Sequence, residues 1–397
     1  MDPQLVFLID CLKVYLNLAP SSLIHPRISD LINWSQLEQL CRIHGVLPLV
    51  YQVFVKVGLL DSLPSPVKQV LVTQNQDMVQ RSLLLGAETL KLMRQVQTAG
   101  IRVLPLKGTL LSSQLYGDMA LRQPGDIDLL VDPAASAQAL DLMRSTDYQW
   151  QVAQHWNLTQ QKLYIGQQGE ISWMSSQKRL SLDLHFRWSR NPRLFCLAFD
   201  QAWRSATELT VNRGNTVRVL CPEHQILYLS VHGAVHQWSR LIWLMDIAML
   251  VKHYQTLNWE ALHEFAFRLK VRRAVGQALL LTEKYLGIEI PGVWSNTCQG
   301  RSQLWLSTIA AAKIQDTQPR STVGRFNTPP LAPWRLWQNL YYEMRLKNQL
   351  SYRIACVNRL LFSARDWQVL TLPEPLWFLY IFLRPFFYLW RVVKQYV

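Results

Sequence analysis

The sequence has few charged residues for its length. Only 17% of its 397 residues are Asp, Glu, Lys or Arg, whereas 49% are hydrophobic. This composition excludes an intrinsically disordered chain and predicts substantial hydrophobic cores. At this length we expect two or three domains.

Paired-cysteine motifs are also absent. The six cysteines are scattered along the chain without CxxC spacing, which fits buried thiols in a reducing compartment better than a disulfide framework. No basic region precedes the first apolar residues, and Asp10 and Lys13 interrupt them. We therefore infer that there is no signal peptide and expect a cytoplasmic location.

A hydrophobic run long enough to cross a bilayer is lacking as well. The aromatic segment from Leu376 to Val393 comes nearest, but Arg384-Pro385 divides it into two apolar runs. Each run is well short of the roughly 20 residues that a transmembrane helix needs. Two interpretations stay open: a docked pair of helices, or an interfacial anchor that makes a peripheral membrane contact.

Positive charge is concentrated in the second half of the chain. Residues 191–397 contain 24 Lys and Arg against 12 Asp and Glu, whereas residues 1–190 contain 17 against 15. A basic half can attract nucleotides, nucleic acid or an anionic membrane. A solvated basic surface explains the same imbalance.

The spacing of apolar residues changes twice, which predicts a helical region over 1–100, a β-containing core over 101–220 and a helical domain over 221–397. Within the core we expect a short helix over Thr109–Tyr116 and a second helix from Pro133 to Arg144. The proline-rich residues 315–334 predict a long loop. The expected strands cover 101–106, 127–131, 148–155, 161–166, 170–175 and 180–184.

The most informative stretch begins with Lys107 and Gly108 and ends with Asp126 and Asp128. Aspartates at positions i and i+2 of a strand point to the same face. Two such carboxylates repel each other unless a cation lies between them, and Mg²⁺ binds carboxylate and phosphate oxygens. A glycine after the preceding strand lets backbone amides approach a phosphate. This order of motifs predicts a nucleotidyl-transfer site.

Asp183 is the best candidate for a third carboxylate. It lies in an alternating apolar run and shares a face with His185. Burying a lone aspartate there would be costly, and a metal shared with Asp126 and Asp128 would offset that cost. The alternative is an ion pair with a nearby arginine such as Arg187 or Arg190.

Two basic residues near the acidic pair have two interpretations each. Lys107 either contacts phosphate or points to solvent beside the turn. Arg122 either holds phosphate through a bidentate contact or forms a structural pair with Asp118 or Asp126.

His232 and His236 lie at i and i+4 of an expected helix, and Asp246 lies on the next helix. This spacing can bind zinc, but lining an acceptor cleft or hydrogen bonding between helices is the better interpretation. His185 could orient substrate in the same cleft.

Together these residues resemble the uncharacterised bacterial nucleotidyltransferase family, a branch of the polymerase-β-like nucleotidyltransferase superfamily. The resemblance covers nearly the whole chain, from His44-Gly45 to Arg384-Pro385. It rests on these segments: Leu106-Lys107-Gly108-Thr109, Tyr116-Gly117, Arg122, Asp126 to Val131, Asp183-Leu184-His185, His232 to His236, and Asp246-Ile247.

The resemblance implies an α+β fold, in which a polymerase-β-like core with a small mixed sheet and flanking helices lies between N- and C-terminal helical regions. It implies that Asp126 and Asp128 bind Mg²⁺ or Mn²⁺, and that Asp183 completes the metal site or acts as base. Gly108 and Thr109 would hold the triphosphate, although the superfamily usually has serine after the glycine.

The implied reaction is attack by an acceptor hydroxyl on the α-phosphate of an NTP, assisted by two metal ions, with release of pyrophosphate. The acceptor could be a small molecule, a sugar, a protein side chain or an RNA end. Two rivals stay open. One is a toxin-like nucleotidyltransferase that modifies RNA or protein, which the basic half favours. The other is a non-catalytic scaffold or membrane-peripheral protein that retains the fold.

Overall fold

The computed structural model describes residues 1–24, 32–123, 125–150, 156–211, 214–316, 333–361 and 363–393. The helical character expected for the first hundred residues is confirmed over the described part. Asn33 caps the second helix by accepting a hydrogen bond from the Gln36 amide, and left-handed Gly45 ends it. The helices before the first strand are α1 (Pro3–Tyr15), α2 (Trp34–His44), α3 (Leu47–Lys56) and α4 (Ser65–Thr98).

A five-stranded mixed sheet follows, in the order β1-β2-β5-β4-β3. The β2 and β5 strands run parallel, and the other three pairs are antiparallel. This small mixed sheet with flanking helices confirms the α+β class. Its strands and helices are β1 (Val103–Pro105), α5 (Thr109–Tyr116), β2 (Ile127–Val131), α6 (Ser136–Arg144), β3 (Tyr148–Gln149), α7 (Leu158–Gln168), β4 (Glu170–Ser175) and β5 (Ser181–His185).

The strand expected over residues 161–166 is wrong, because these residues belong to α7. Asn157 accepts a hydrogen bond from the Gln160 amide, and the Gln160 side chain bonds back to the Asn157 amide. This capping box starts a helix where apolar spacing alone favoured a strand. The strand expected over 148–155 is observed at residues 148–149, and residues 151–155 lie outside the described part.

A short helix and a two-stranded hairpin connect the sheet to the later helices. They are α8 (Phe199–Arg204), β6 (Thr207–Val211) and β7 (Asn215–Val219). The spacing of apolar residues did not predict the hairpin.

Helices then continue to the end of the described chain. In that part no helix combines the length and hydropathy needed to cross a membrane. The loop expected over 315–334 falls mainly on 317–332, outside the described residues. The helices are α9 (Pro222–Val235), α10 (Leu241–His253), α11 (Trp259–Arg268), α12 (Arg272–Leu286), α13 (Ser295–Cys298), α14 (Arg301–Ile314), α15 (Pro333–Arg345), α16 (Leu350–Leu361) and α17 (Leu379–Val393).

The interpretation of the C-terminal aromatic segment as a pair of helices is wrong. The α17 helix continues through Pro385. A proline removes one helical hydrogen bond but does not forbid continuation when the flanking turns are held. Here Arg384 and Arg391 both pair with Asp366 and hold the helix on either side of the proline.

Two hydrophobic clusters organise the molecule. One joins the N-terminal helices to α9, α10 and α12, and the other lies between the sheet and α4. Gln225 on α9 donates to the Leu106 carbonyl at 3.1 Å, and His44 accepts from the Leu241 amide at the start of α10. These contacts hold α9 and α10 beside the acidic edge of the sheet. The domain boundaries at 100/101 and 220/221 stay predictions.

Candidate active site

The turn between β1 and α5 has a backbone conformation that requires glycine. Gly108 has φ +83° and ψ −145°, a region essentially closed to other residues. A Cβ there would lie 3.6 Å from the Asp126 carbonyl oxygen. The start of α5 therefore lies close to the acidic strand, and the amides of its first turn form the kind of site that binds phosphate.

Thr109, the first residue of α5, lies beside α4. Thr109 is buried, and a Cβ placed on Gly86 of α4 would lie 3.6 Å from its Oγ1. The hydroxyl therefore lies near α4, and its predicted contact with phosphate stays a prediction.

The parallel pairing of β2 with β5 sets Asp128 opposite Asp183 in register. Among the described residues, ligand atoms of Asp128, Asp183 and His185 lie within 4.8 Å of one another. All three side chains are buried, and Ser172 donates a hydrogen bond to Asp183 Oδ1 at 2.6 Å. Residues 55 positions apart in the chain thus form one acidic group.

In the structure, Lys107 is the cation between Asp126, the residue before β2, and Asp128 within it. Its Nζ lies 2.6 Å from Asp128 Oδ2 and 3.4 Å from Asp126 Oδ1. Burial disfavours every charge here, yet the attraction of Asp126 and Asp128 raises the pKa of Lys107. Burial is likewise outweighed at Asp128, where Lys107 and then His185 lower the carboxyl pKa.

Asp126 has a different environment from Asp128. Its side chain is 33% exposed, and its pKa is raised because burial and the Asp128 charge outweigh the attraction of Lys107. It lies outside the group formed by Asp128, Asp183 and His185. Its predicted part in metal binding stays a prediction.

His185 is held between two carboxylates. Its Nε2 lies 3.1 Å from Asp128 Oδ1, and its Nδ1 lies 3.2 Å from Glu170 Oε2. Burial opposes protonation, but the bond to Asp128 and the charge of Glu170 raise the pKa of His185. Glu170 was not among the predicted site residues, because only the β4–β5 register reveals that it lies opposite His185.

Arg122 pairs with Asp246, a partner that neither sequence interpretation named. Arg122 Nε lies 2.9 and 3.1 Å from the two Asp246 carboxylate oxygens, and the Tyr116 hydroxyl donates to Asp246 Oδ1 at 3.0 Å. Both charged side chains are almost completely buried. The pair fixes the loop before β2 to α10, and phosphate binding by Arg122 stays a prediction.

Three aromatic rings from α9 and α10 lie together near this edge of the sheet. The ring centroid of His232 lies 4.7 Å from that of His236 and 5.3 Å from that of Trp243. Burial, and then the nearby His236 and Lys107 charges, lower the pKa of His232 well below its usual value. His232 is therefore within electrostatic reach of Lys107.

Comparison with known proteins gives one match. The sequence profile of a family described as uncharacterised nucleotidyltransferase matches residues 30–287, well over half of the chain. The chain belongs to this family. No curated protein and no solved structure matches it. The matched region contains the glycine turn, the acidic edge of the sheet, and helices α9 and α10.

For a nucleotidyltransferase, the acidic edge has donor chemistry that fits a divalent cation. Asp128 and Asp183 supply carboxylate oxygens, which suit Mg²⁺ and Mn²⁺. The imidazole of His185 suits softer metals as a direct ligand, whereas its bond to Asp128 suits it to orient that carboxylate. The residues present therefore fit a hard cation bound through the two aspartates, with His185 behind Asp128.

Proposed function

We propose that this chain transfers a nucleoside monophosphate group from an NTP to an acceptor hydroxyl, with Mg²⁺ or Mn²⁺ held by Asp128 and Asp183. The observation that carries the proposal is the parallel β2–β5 register, which sets these two carboxylates side by side. Beside them, the Gly108 turn brings the α5 amides near the same strand. Acidic groups and phosphate-binding amides in one place are what phosphoryl chemistry needs.

The phosphate end of the NTP is assigned to Gly108 and Lys107, with the buried Arg122 as a further source of positive charge. The amides that follow Gly108 hold phosphate oxygens, and the Lys107 ammonium, already 2.6 Å from Asp128, neutralises part of their charge. Arg122 contributes positive potential from its pair with Asp246. A bound divalent cation would stabilise charge that develops on the phosphoryl oxygens.

The acidic residues are assigned distinct tasks. Asp183, oriented by its hydrogen bond from Ser172, completes the metal site or accepts the proton of the attacking hydroxyl. Asp128 is the central metal ligand, and Asp126, whose side chain is more exposed, is a further metal ligand. His185 and Asp246 are positioning residues, because one holds Asp128 and the other holds Arg122.

The acceptor is assigned to the side of the cleft formed by α9 and α10. His232 and His236 present adjacent rings there, and Trp243 closes the cluster. Flat rings of this kind pack against planar or sugar faces without fixing a single ligand.

The proposal is tested by calorimetric titration of each of the four NTPs, with Mg²⁺ or Mn²⁺, into wild type, Asp128→Asn and Asp183→Asn. We expect metal-dependent binding to wild type and a loss of affinity of at least about 30-fold in both variants, because each removes a metal ligand. The relative affinities of the four NTPs give the base preference.

Asp141→Asn is the matched control, since Asp141 is exposed and pairs with Arg144 on its own helix. It should bind NTP as wild type does, and thermal unfolding should show that every variant is folded. Failure of wild type to bind any NTP with either metal would overturn the proposal. Unchanged affinity in Asp183→Asn would remove that residue from the metal site.

A further inference from the structure

The C-terminal helices leave a regular row of large apolar side chains in solvent. On α17 and the residue before it, these side chains recur at intervals of three or four positions, as one face of a helix requires. Their exposed fractions range from 56% to 68%. They are Phe378, Phe382, Phe386, Leu389 and Val393.

The two preceding helices have rows of the same kind. On α16 the exposed apolar residues are Leu350, Ile354, Val357 and Leu361, and on α15 they are Trp334, Trp337 and Tyr341. The three helices pack in sequence, α15 against α16 and α16 against α17. We call these twelve side chains the C-terminal apolar face.

A row of five large apolar side chains that are each more than half exposed, as on α17, is unusual on a protein that has no partner. Single exposed apolar residues are common, but contiguous patches beyond a few hundred Å² mark sites of association with a protein or a membrane. Burying the face against a suitable partner would be favourable in proportion to its apolar area.

The charges around the face indicate which partner fits. Residues 333–393 contain eight Lys and Arg but only three Asp and Glu. Asp366 pairs with Arg384 and Arg391, and Glu343 pairs with Arg359, which leaves five Lys and Arg, the buried Lys347 among them, against one acid. The surroundings of the face are therefore basic.

A basic rim disfavours a second copy of this chain, because a symmetric contact would bring like charges together. An anionic lipid surface complements both features, since it accepts apolar side chains at the acyl boundary and attracts Arg and Lys at the headgroups. Trp, Tyr and Phe are also the residues suited to this boundary.

We propose that the C-terminal apolar face binds the surface of an anionic phospholipid membrane, with α17 lying in the plane of the interface. At 15 residues, α17 is about 22 Å long, shorter than the roughly 30 Å hydrocarbon core. The ion pairs of Asp366 with Arg384 and Arg391 fix the rotation of α17 about its own axis. Its apolar side therefore stays outward. This proposal does not depend on the proposed transfer reaction.

The test is co-sedimentation of the full chain with vesicles of phosphatidylcholine alone or with about one third phosphatidylglycerol. We expect binding to the anionic vesicles that weakens as salt is raised, because part of the attraction is electrostatic. Phe382→Ser/Phe386→Ser should lower the partition coefficient at least about tenfold, since two deeply inserting rings are lost.

The matched control is Leu83→Ser/Leu84→Ser, which changes two exposed leucines on α4 and should leave vesicle binding unchanged. Thermal unfolding of both double variants checks that they are folded. Absence of binding to anionic vesicles, or equal binding by the phenylalanine variant, would overturn the proposal. Sedimentation equilibrium supplies a further criterion. If wild type forms a dimer and Phe382→Ser/Phe386→Ser does not, the face binds a second copy of this chain and the proposal is overturned.

Discussion

Two buried charged clusters near the edge of the sheet differ in their balance. In the first, Arg122 faces Asp246, and Tyr116 donates a further hydrogen bond to the same carboxylate. One positive group meets one negative group, and the pair joins the loop before β2 to α10.

The second cluster has an excess of acid. Asp128 and Asp183 face each other, with Asp126 and Glu170 nearby. The cations in contact with these four acids include Lys107, His185 and Arg190, whose Nε lies 3.8 Å from Glu170 Oε1. Buried carboxylates in excess are costly unless a further cation offsets them. The comparison therefore separates a pair that needs no ligand from a group whose composition favours one.

The largest effect is expected in the balanced pair. Arg122→Leu leaves the Asp246 carboxylate buried without its partner, and the free energy of unfolding should fall by about 3–5 kcal/mol. Chemical denaturation measures the loss. In Arg122→Leu/Asp246→Leu both charges are absent, so the double variant should recover most of the stability. Equal losses in the single and double variants would show that the pair acts through packing and not through charge.

In the acidic group, removing one charge should not lower the free energy of unfolding. Asp183→Asn keeps the shape of the side chain and an acceptor for Ser172, but it removes one negative charge beside Asp128. We expect unfolding stability equal to wild type or greater by up to about 1 kcal/mol. Mn²⁺ affinity, measured by electron paramagnetic resonance, should fall about 30- to 100-fold, which is about 2–3 kcal/mol. If Asp183→Asn instead lost several kcal/mol of stability and kept its Mn²⁺ affinity, Asp183 would be a structural residue and not a metal ligand.

The helix that carries the ring cluster depends on one close contact. A Cβ on Gly233 of α9 would lie 2.6 Å from the ring of Trp238, which is fully buried. Gly233→Ala should therefore lower the free energy of unfolding by about 1–3 kcal/mol, because the ring cannot yield without repacking. Gly166→Ala in α7 is the control, since its Cβ meets nothing within 4 Å. That variant should be stabilised by about 0.5–1 kcal/mol.

Local patterns in the sequence predicted much of the catalytic strand and turn. The bounds of Thr109–Tyr116 and Ile127–Val131 agree with the structure, because glycine flanks the helix and a run of apolar residues makes the strand. The strand containing Asp183 was also expected, with its face shared with His185. These features depend only on neighbours a few positions away.

The contacts that build the site depend on register, which periodicity does not encode. The placement of Asp128 opposite Asp183 needs the parallel β2–β5 pairing, and the contact of His185 with Glu170 needs the β4–β5 register. The Arg122–Asp246 pair spans 124 residues. Likewise, the sequence predicted a cation between Asp126 and Asp128, but spacing could not show that a lysine of this chain would lie there.

The smallest effect is expected at the mouth of the cleft. His236 is exposed and lies beyond the last residue of α9, away from the glycine turn that is assigned to phosphate. His236→Ala should therefore change the affinity for metal-bound NTP by less than about twofold, or under about 0.5 kcal/mol. Calorimetry with the NTP that wild type prefers measures this. A larger loss confined to NTPs, with inorganic triphosphate binding unchanged, would move the rings from the acceptor to the nucleotide base, because triphosphate has no base to contact them.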